Sequence, residues 1–362
     1  MKVLVTGAGG YIGSQTCKTL FKKGYHVVGV DRNKIKHGYC KTVYSGDYRD
    51  YAVQALLLDI DCVVHIGATS LVGPSVLDPS KYYNNNVVGT LKLLDACKNQ
   101  GVKSFVFASS AATYGEPEGG VCLETEQHTP MNPYGWSKRM TEIMLSDYAT
   151  AYGINSVSLR FFNVAGADTL MEMGQEKDAT HIIAKLIEMT MEGKDFTLNG
   201  GDFDTPDGTC VRDYVHVEDV ASGIHKAIEY TNANEGAYRF NLGNKEGYSN
   251  LQIVEAVKRN TPLKPNVTIG PARDGDPATL VANTMLANVE LNWTPKYDLD
   301  IIVKTAYNWY RKKQNDIHVI NSEKKNEQVE TASATGILSE LFLVSFGSKS
   351  ANERRMKGFC RK

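Results

Sequence analysis

Residues 2–31 restrict the fold more than any other stretch. Lys2-Val3-Leu4-Val5-Thr6 is a short apolar strand, followed at once by Gly7-Ala8-Gly9-Gly10-Tyr11-Ile12-Gly13 and a helical pattern through Lys23. Glycines at 7, 10 and 13 suit a tight turn, close helix–strand packing and backbone access for a pyrophosphate at a helix N-terminus. A second strand, His26–Val30, ends in Asp31. A carboxylate there can accept hydrogen bonds from the adenosine ribose hydroxyls and repels a 2′-phosphate, which favours NAD over NADP; Arg32, next door, weakens that preference. Strand, glycines, helix, strand and terminal acid together point to a dinucleotide site.

The alternation continues. Strand-like Thr42–Ser45 ends before Gly46-Asp47-Tyr48, where Asp47 and Tyr48 are placed to meet the adenine side. Cys62–Ile66 is followed by Gly67-Ala68-Thr69-Ser70, small residues that let the backbone approach a cofactor. Tyr82–Lys98 reads as a helix with Asn84-Asn85-Asn86 near its start, then come strands at Phe105–Ala108 and Asn155–Arg160. Strands separated by helices argue a parallel sheet, doubly wound, with ligands outside the strand carboxyl ends. Ser70, Ser110 and Asn163 all fall at such ends.

One motif in this frame carries chemistry. In Asn132-Pro133-Tyr134-Gly135-Trp136-Ser137-Lys138, Asn132 is an N-cap and Pro133 the first helical residue. Tyr134 and Lys138 therefore share one helix face. A free phenol has a pKa of about 10, and bringing it to neutrality corresponds to about 4 kcal/mol of differential stabilisation. An adjacent ammonium works in that direction. With Ser110 to hydrogen-bond the reacting hydroxyl, the set suits proton removal from an alcohol. An i,i+4 pair alone is often a solvated helix face; the upstream dinucleotide fingerprint argues otherwise here.

Composition excludes more than it assigns. Forty basic against forty-one acidic residues give no argument for nucleic acid or a membrane surface. The seven cysteines include no Cys-x-x-Cys and suggest a reducing compartment and no metal site. With no signal peptide and no apolar run near the roughly 18 residues a bilayer requires, a cytoplasmic location is expected. Beyond Gly166 the regularity fades. Helix Ala179–Glu192, the loop Asn199–Thr209, the strand Val211–Val217 and helix Asn250–Asn260 can still be placed. Arg212 and Arg273 are either a diphosphate clamp or exposed salt bridges, and His65 and His216 read as core residues. The expected organisation is a dinucleotide-binding domain over 1–165, with later segments returning to it, and a smaller α/β substrate domain over 166–316. Residues 317–362 form a polar then basic tail, either a poorly ordered appendage or, through Gly336–Phe346, a docking helix.

Several stretches together carry a resemblance: Val5-Thr6-Gly7-Ala8-Gly9-Gly10-Tyr11-Ile12-Gly13-Ser14, Leu71-Val72-Gly73-Pro74-Ser75-Val76, Tyr82-Tyr83-Asn84-Asn85-Asn86-Val87-Val88-Gly89-Thr90 and Ser109-Ser110-Ala111-Ala112-Thr113-Tyr114-Gly115. The Asn132–Lys138 motif, Arg160-Phe161-Phe162-Asn163-Val164-Ala165-Gly166-Ala167, the Asp207–Val217 segment and Leu291-Asn292-Trp293-Thr294-Pro295 extend it. Over residues 1 to about 316 the chain resembles the extended short-chain dehydrogenase/reductase superfamily and, within it, the UDP-glucose 4-epimerase (UDP-galactose 4-epimerase) family.

The resemblance implies a Rossmann-type NAD-binding fold, NAD as cofactor, a UDP-sugar as substrate, a homodimer, and inversion at C4 through a transient 4-keto sugar. It gives Tyr134 the proton of the sugar 4-hydroxyl, Ser110 a share in that transfer, and Lys138 the nicotinamide ribose and the lowering of the Tyr134 pKa. It places Gly7, Gly10, Tyr11, Ile12, Gly13, Asp31, Asp47, Tyr48, Ile66, Gly67, Ala68, Ser70, Asn85 and Phe162 around NAD. Asn163, Ile182, Asn199, Arg212, Arg273 and Asp276 fall around the UDP-sugar, and Leu280 at the position that sets pocket volume beside C2. Three departures stand out: Ser70 where Lys is common, Phe161 for Tyr, and Asn199 for an aromatic residue that would stack on uracil. Related dehydratases need an acid directly after position 110, where this chain has Ala111 and Ala112. Another UDP-sugar 4-epimerase (acting on UDP-N-acetylglucosamine or a UDP-pentose) and a catalytically silent NAD sensor are the remaining alternatives, and the intact Ser110, Tyr134 and Lys138 argue against the sensor.

Overall fold

The computed structural model describes residues 1–176, 179–272 and 276–316. β1 (Lys2–Thr6) leads through the glycine loop into α1 (Tyr11–Lys22), β2 (His26–Asp31) and β3 (Thr42–Ser45). α2 (Tyr51–Leu56) and β4 (Cys62–His65) precede α3 (Val72–Leu77), α4 (Pro79–Tyr82), a π-helical turn over Tyr83–Val88, and α5 (Gly89–Gln100). Next come β5 (Ser104–Ser110), the two-residue β6 (Val121–Cys122), α6 (Pro133–Tyr152), β7 (Asn155–Phe161) and β8 (Asn163–Ala165). The second half contains α7 (Ile182–Met191), β9 (Phe196–Asn199), β10 (Val211–His216), α8 (Val217–Ala233), β11 (Ala237–Leu242) and β12 (Gly247–Ser249). α9 (Asn250–Asn260), β13 (Val267–Gly270), β14 (Thr279–Ala282) and α10 (Met285–Leu291) follow, and a last helix covers 299–316.

Seven strands form one parallel sheet in the order β11-β7-β5-β4-β1-β2-β3. Successive residues of a strand face opposite sides, and β1 shows it directly. Val3 and Val5 join a core with Cys17 and Leu20 of α1 and Val220 and Ile224 of α8. Leu4 joins the opposite core with Leu93 and Leu94 of α5, Phe105 and Phe107 of β5, and Leu145 of α6. Helices thus cover both faces, which is why β4 and β5 read as continuous apolar runs rather than alternating ones. Burying a side chain such as Phe105, wholly inaccessible here, stabilises the fold by about 1.5–3 kcal/mol.

The second sheet runs β12-β10-β14-β6, with β8 also on β10, and β13 pairs β9 separately. Residues Met1–Trp309 form one compact unit. Within it β11 returns to the first sheet, whereas β6, from the first half, pairs β14 of the second. The helix α8 and strand β11 have no counterpart in the sequence reading. β5 also runs two residues further than Phe105–Ala108, so that Ser110 is its last residue. Among the described residues no helix is long and apolar enough to cross a membrane. The expectations for 317–362 lie outside the described residues.

Candidate active site

The carboxyl ends of β5 and β7 and the first turns of α6 meet at one place. Asn132 caps α6 as its sequence indicates, its side-chain oxygen accepting from the Gly135 N–H at 2.9 Å with Pro133 at the first turn. This fixes the direction in which Tyr134 and Lys138 leave the helix. Ser110 ends β5 close enough to act on the Tyr134 phenol, and its Oγ accepts from the Ala112 N–H at 3.2 Å. The Lys138 ammonium donates to the Ala108 carbonyl at 2.7 Å and lies 4.8 Å from the Phe107 ring centroid and 5.8 Å from that of Tyr134. Tyr82 packs edge-on to Tyr134 with centroids 6.3 Å apart.

The electrostatics follow from burial. Lys138 is almost inaccessible; desolvation brings its pKa down to about 7, against an opposing pull from Glu142 one turn away. Burial raises the Tyr134 phenol above its ordinary pKa, and the neighbouring Ser110 hydroxyl works to lower it. His65 is fully buried between Thr6 and Thr90, at 2.7 and 2.9 Å, and burial pushes its pKa down to about 3. It is a neutral core residue, as its apolar surroundings in the sequence suggest.

Beside this cluster lies the glycine loop. Gly7 has φ of +73°, and a Cβ there would stand 2.8 Å from the Gly67 amide nitrogen; a Cβ on Gly13 would stand 1.9 Å from the Gly7 carbonyl. The backbone is therefore bare where β1 and β4 end, and a phosphate can reach it. Gly10 caps α1, whose first turn, with Tyr11 and Ile12, holds no carboxylate; the Tyr11 hydroxyl donates to the Gly166 carbonyl at 2.7 Å. Asp31 accepts from the Gly9 N–H at 3.0 Å. Burial tends to raise the Asp47 pKa, but the Arg49 fork, at 2.7 and 2.8 Å, holds it below its ordinary value. Tyr48 is buried rather than presented, and its hydroxyl donates to the Asn85 carbonyl at 2.5 Å.

Ile66 and Gly67 are pinned by the Thr6 hydroxyl, which accepts from both amides. Ala68 follows them, half-buried, and Ser70 is exposed. Leu71 has φ of +119°, a costly conformation for a branched residue, and its carbonyl accepts from Tyr82 at 2.8 Å. Asn85 lies in the π-helical turn with its side-chain oxygen buried and unpartnered. Buried amide oxygens are rarely left so. Together with the bare glycine loop, this orphan acceptor fits a donor-bearing ligand such as a nicotinamide dinucleotide.

On the substrate side, Phe162, Leu280 and Ala111, the residue after Ser110, belong to one buried cluster. Arg212 stands opposite Leu280 in the β10–β14 register, and Asn163 opposite Tyr214 on the other edge of β10. Arg212 is buried, donates to the Val211 carbonyl at 2.8 Å and is 3.8 Å from Asp276; the exposed-salt-bridge reading does not describe it. Ile182 opens α7, which packs on β9, whose last residue is Asn199. Arg273 lies outside the described residues.

The sequence reading passed over three supporting residues. Asn86 accepts from the Thr69 N–H at 2.8 Å and donates to Ser137 Oγ at 3.0 Å, tying the loop after β4 to α6. Glu142 accepts from Ser109 at 2.7 Å and from both forks of Arg160 at 2.9 Å. A lone charge, Arg160, inside the otherwise uncharged run 154–162 was the available signal. Cysteine spacing suggested no metal site, yet the fold brings Cys17, His37 and Cys40 within 4.8 Å of one another.

Known proteins place this geometry. The family model described as NAD dependent epimerase/dehydratase family matches residues 3–243. A UDP-glucose 4-epimerase of Lacticaseibacillus casei is 40% identical over 322 residues, covering 86% of this chain and 97% of that protein. The crystal structure of UDP-glucose 4-epimerase from Brucella ovis in complex with NAD is similar at a TM-score of 0.79 and 40% identity, over 85% of this chain and 97% of the other. The enzyme from Stenotrophomonas maltophila, with bound NAD and formylated UDP-arabinopyranose, gives 0.83 at 32% identity, over 87% and 99%. With the glycine loop, the seven-stranded parallel sheet and the Ser110–Tyr134–Lys138 cluster in the same chain, these matches show that it belongs to the NAD dependent epimerase/dehydratase family.

Proposed function

We infer that the chain interconverts UDP-glucose and UDP-galactose by inverting C4 of the sugar, with NAD as a retained cofactor. The observation that carries this reading is the meeting of Ser110, the last residue of β5, with Tyr134 and Lys138 from the first turns of α6, and Ala111 and Ala112 where a dehydratase needs an acid. NAD, when bound, supplies reversible hydride acceptance at C4. The chain's own residues do the rest. Tyr134 removes the proton of the 4-hydroxyl and returns it, and Ser110 holds that hydroxyl in line. Lys138 would hold the nicotinamide ribose when NAD is bound. Gly7, Gly10, Tyr11, Ile12, Gly13, Asp31, Asp47 and Tyr48, with Ile66 to Ser70, Asn85 and Phe162, hold the cofactor. Asn163, Ile182, Asn199, Arg212, Arg273, Asp276 and Leu280 hold the UDP-sugar, so the segment 166–316 serves mainly the substrate.

A cytoplasmic homodimer completes the proposal. The six described cysteines are free thiols, which supports a reducing compartment. Trp136, Met140 and Ile143 are exposed at helical spacing on α6, and α5, which packs on α6, exposes Val88 at its entry and Leu91. Such a stripe suits a second copy of the chain. Incubating purified protein with UDP-galactose tests the activity. UDP-glucose should form while the copurified NAD is neither added nor consumed, and NADH rising in step with product would instead indicate a dehydrogenase.

A further inference from the structure

The segment between β2 and β3 contains residues the reaction above does not use. His37 and Cys40 fold back from it onto Cys17 of α1, and their ligand atoms and the Cys17 sulfur all lie within 4.8 Å of one another. Cys17 is buried, while His37 and Cys40 are half-buried, so solvent can reach the cluster from one side. His37 Nε2 is 2.9 Å from the Ala8 carbonyl and can only donate to it, which leaves Nδ1 as the unprotonated nitrogen, accepting from the Tyr39 N–H at 3.3 Å. An imidazole donating one N–H to a carbonyl and presenting the other nitrogen is in the tautomer that a metal ligand adopts. Two thiolates and an imidazole select a soft or borderline divalent cation over calcium or magnesium.

We propose that Cys17, His37 and Cys40 form a zinc site with water as fourth ligand, and that its occupancy is linked to the affinity of the glycine loop for its dinucleotide. On binding, zinc displaces the two thiol protons, and no redox partner is needed. The link runs through His37, which hydrogen-bonds Ala8 within the loop Gly7–Gly13, and through the 32–41 segment, which follows directly on Asp31. The linkage rests on the NAD reading given above; the site itself does not.

The test uses the full reduced chain and Co²⁺ as a spectroscopic stand-in for zinc. Titration should give thiolate-to-cobalt charge-transfer absorption and tetrahedral d–d bands saturating at one equivalent, bleached by zinc. The bands should vanish in Cys17→Ser and Cys40→Ser and persist in Cys210→Ser and Cys360→Ser. His37→Gln, which leaves both thiols and their packing in place, should weaken zinc binding by about 10-fold or more. Absence of the bands in the wild type, or their survival in Cys17→Ser or Cys40→Ser, overturns the site. So does a reduced chain that ignores cobalt but forms a Cys17–Cys40 disulfide under peroxide. Zinc loading should also change the NAD dissociation constant by about fivefold or more; an unchanged constant overturns the linkage, while the cobalt bands decide the site independently.

Discussion

Glu142 of α6 and Arg160 of β7 face each other through two parallel hydrogen bonds of 2.9 Å, and neither side chain touches solvent. Because Glu142 also accepts from Ser109 and lies one turn beyond Lys138, this pair locks the end of β5 to the helix carrying the base. Removing one member of such a pair leaves an uncompensated buried charge, which costs about 3–5 kcal/mol. Glu142→Gln should therefore lower stability by that order in denaturant unfolding. A change below about 1 kcal/mol would place the pair among surface ion pairs in energetic terms and contradict its burial.

Tyr134→Phe keeps the ring and its edge-on packing against Tyr82 while removing the proton acceptor. Turnover of UDP-galactose should fall by about 10²–10⁴-fold or more, the range typical of general acid–base groups. UDP binding, measured by calorimetry, should stay close to wild type. Near-normal turnover would assign the proton to another group.

Leu280 shares a buried cluster with Phe162 and Ala111 and has 9% of its surface exposed. Leu is shorter than Tyr yet larger than Cys or Ser, so slow epimerisation of UDP-N-acetylglucosamine should accompany faster turnover of UDP-galactose. Leu280→Tyr should abolish the first and largely spare the second, as read from product ratios. A wild type fully active on UDP-galactose and inert toward the N-acetylated sugar would show that Leu280 is not permissive.

His65 is held neutral down to about pH 3 by burial, with the charge of Lys138 adding to the effect. The unfolded chain takes up this proton near pH 6.5. Between the two values the unfolded state binds more protons, so stability is complete above about pH 6.5 and is lost as pH falls toward 3. The slope from this one group reaches about 1.4 kcal/mol per pH unit. The His65→Gln variant should show a shallower fall of thermal midpoint between pH 6 and 4, both values being about half a unit or more inside that window. Parallel wild-type and variant profiles would rule the group out as a source of acid lability.

The exposed stripe Trp136, Met140 and Ile143 predicts a concentration-dependent assembly. Met140→Lys, on the solvent side of α6, should shift the molar mass in light scattering from dimer toward monomer. A wild-type monomer, or a variant that stays dimeric, would place the contact elsewhere.

Some of this was decided by the chain alone. The glycine spacing, the terminal Asp31, the Asn132–Pro133 cap and the Tyr134–Lys138 interval are short-range features. A few dihedrals and one helical turn suffice to convert each into geometry, and so the parallel sheet and the base-bearing helix are legible in the sequence. The apolar runs of β4 and β5 likewise announce strands buried on both faces. Other features depend on residues distant in sequence. The Arg160–Glu142 lock, the orphan oxygen of Asn85 in its π-helical turn, the return of β11 to the first sheet and the placing of Leu280 beside Ala111 exist only after sheets and helices pack. So does the meeting of Cys17 with His37 and Cys40, which no Cys-x-x-Cys spacing could signal. Side-chain period and capping are local properties, whereas burial, pairing of charges and the lining of a crevice are set by which distant segments the core brings together. Only the tertiary structure decided those.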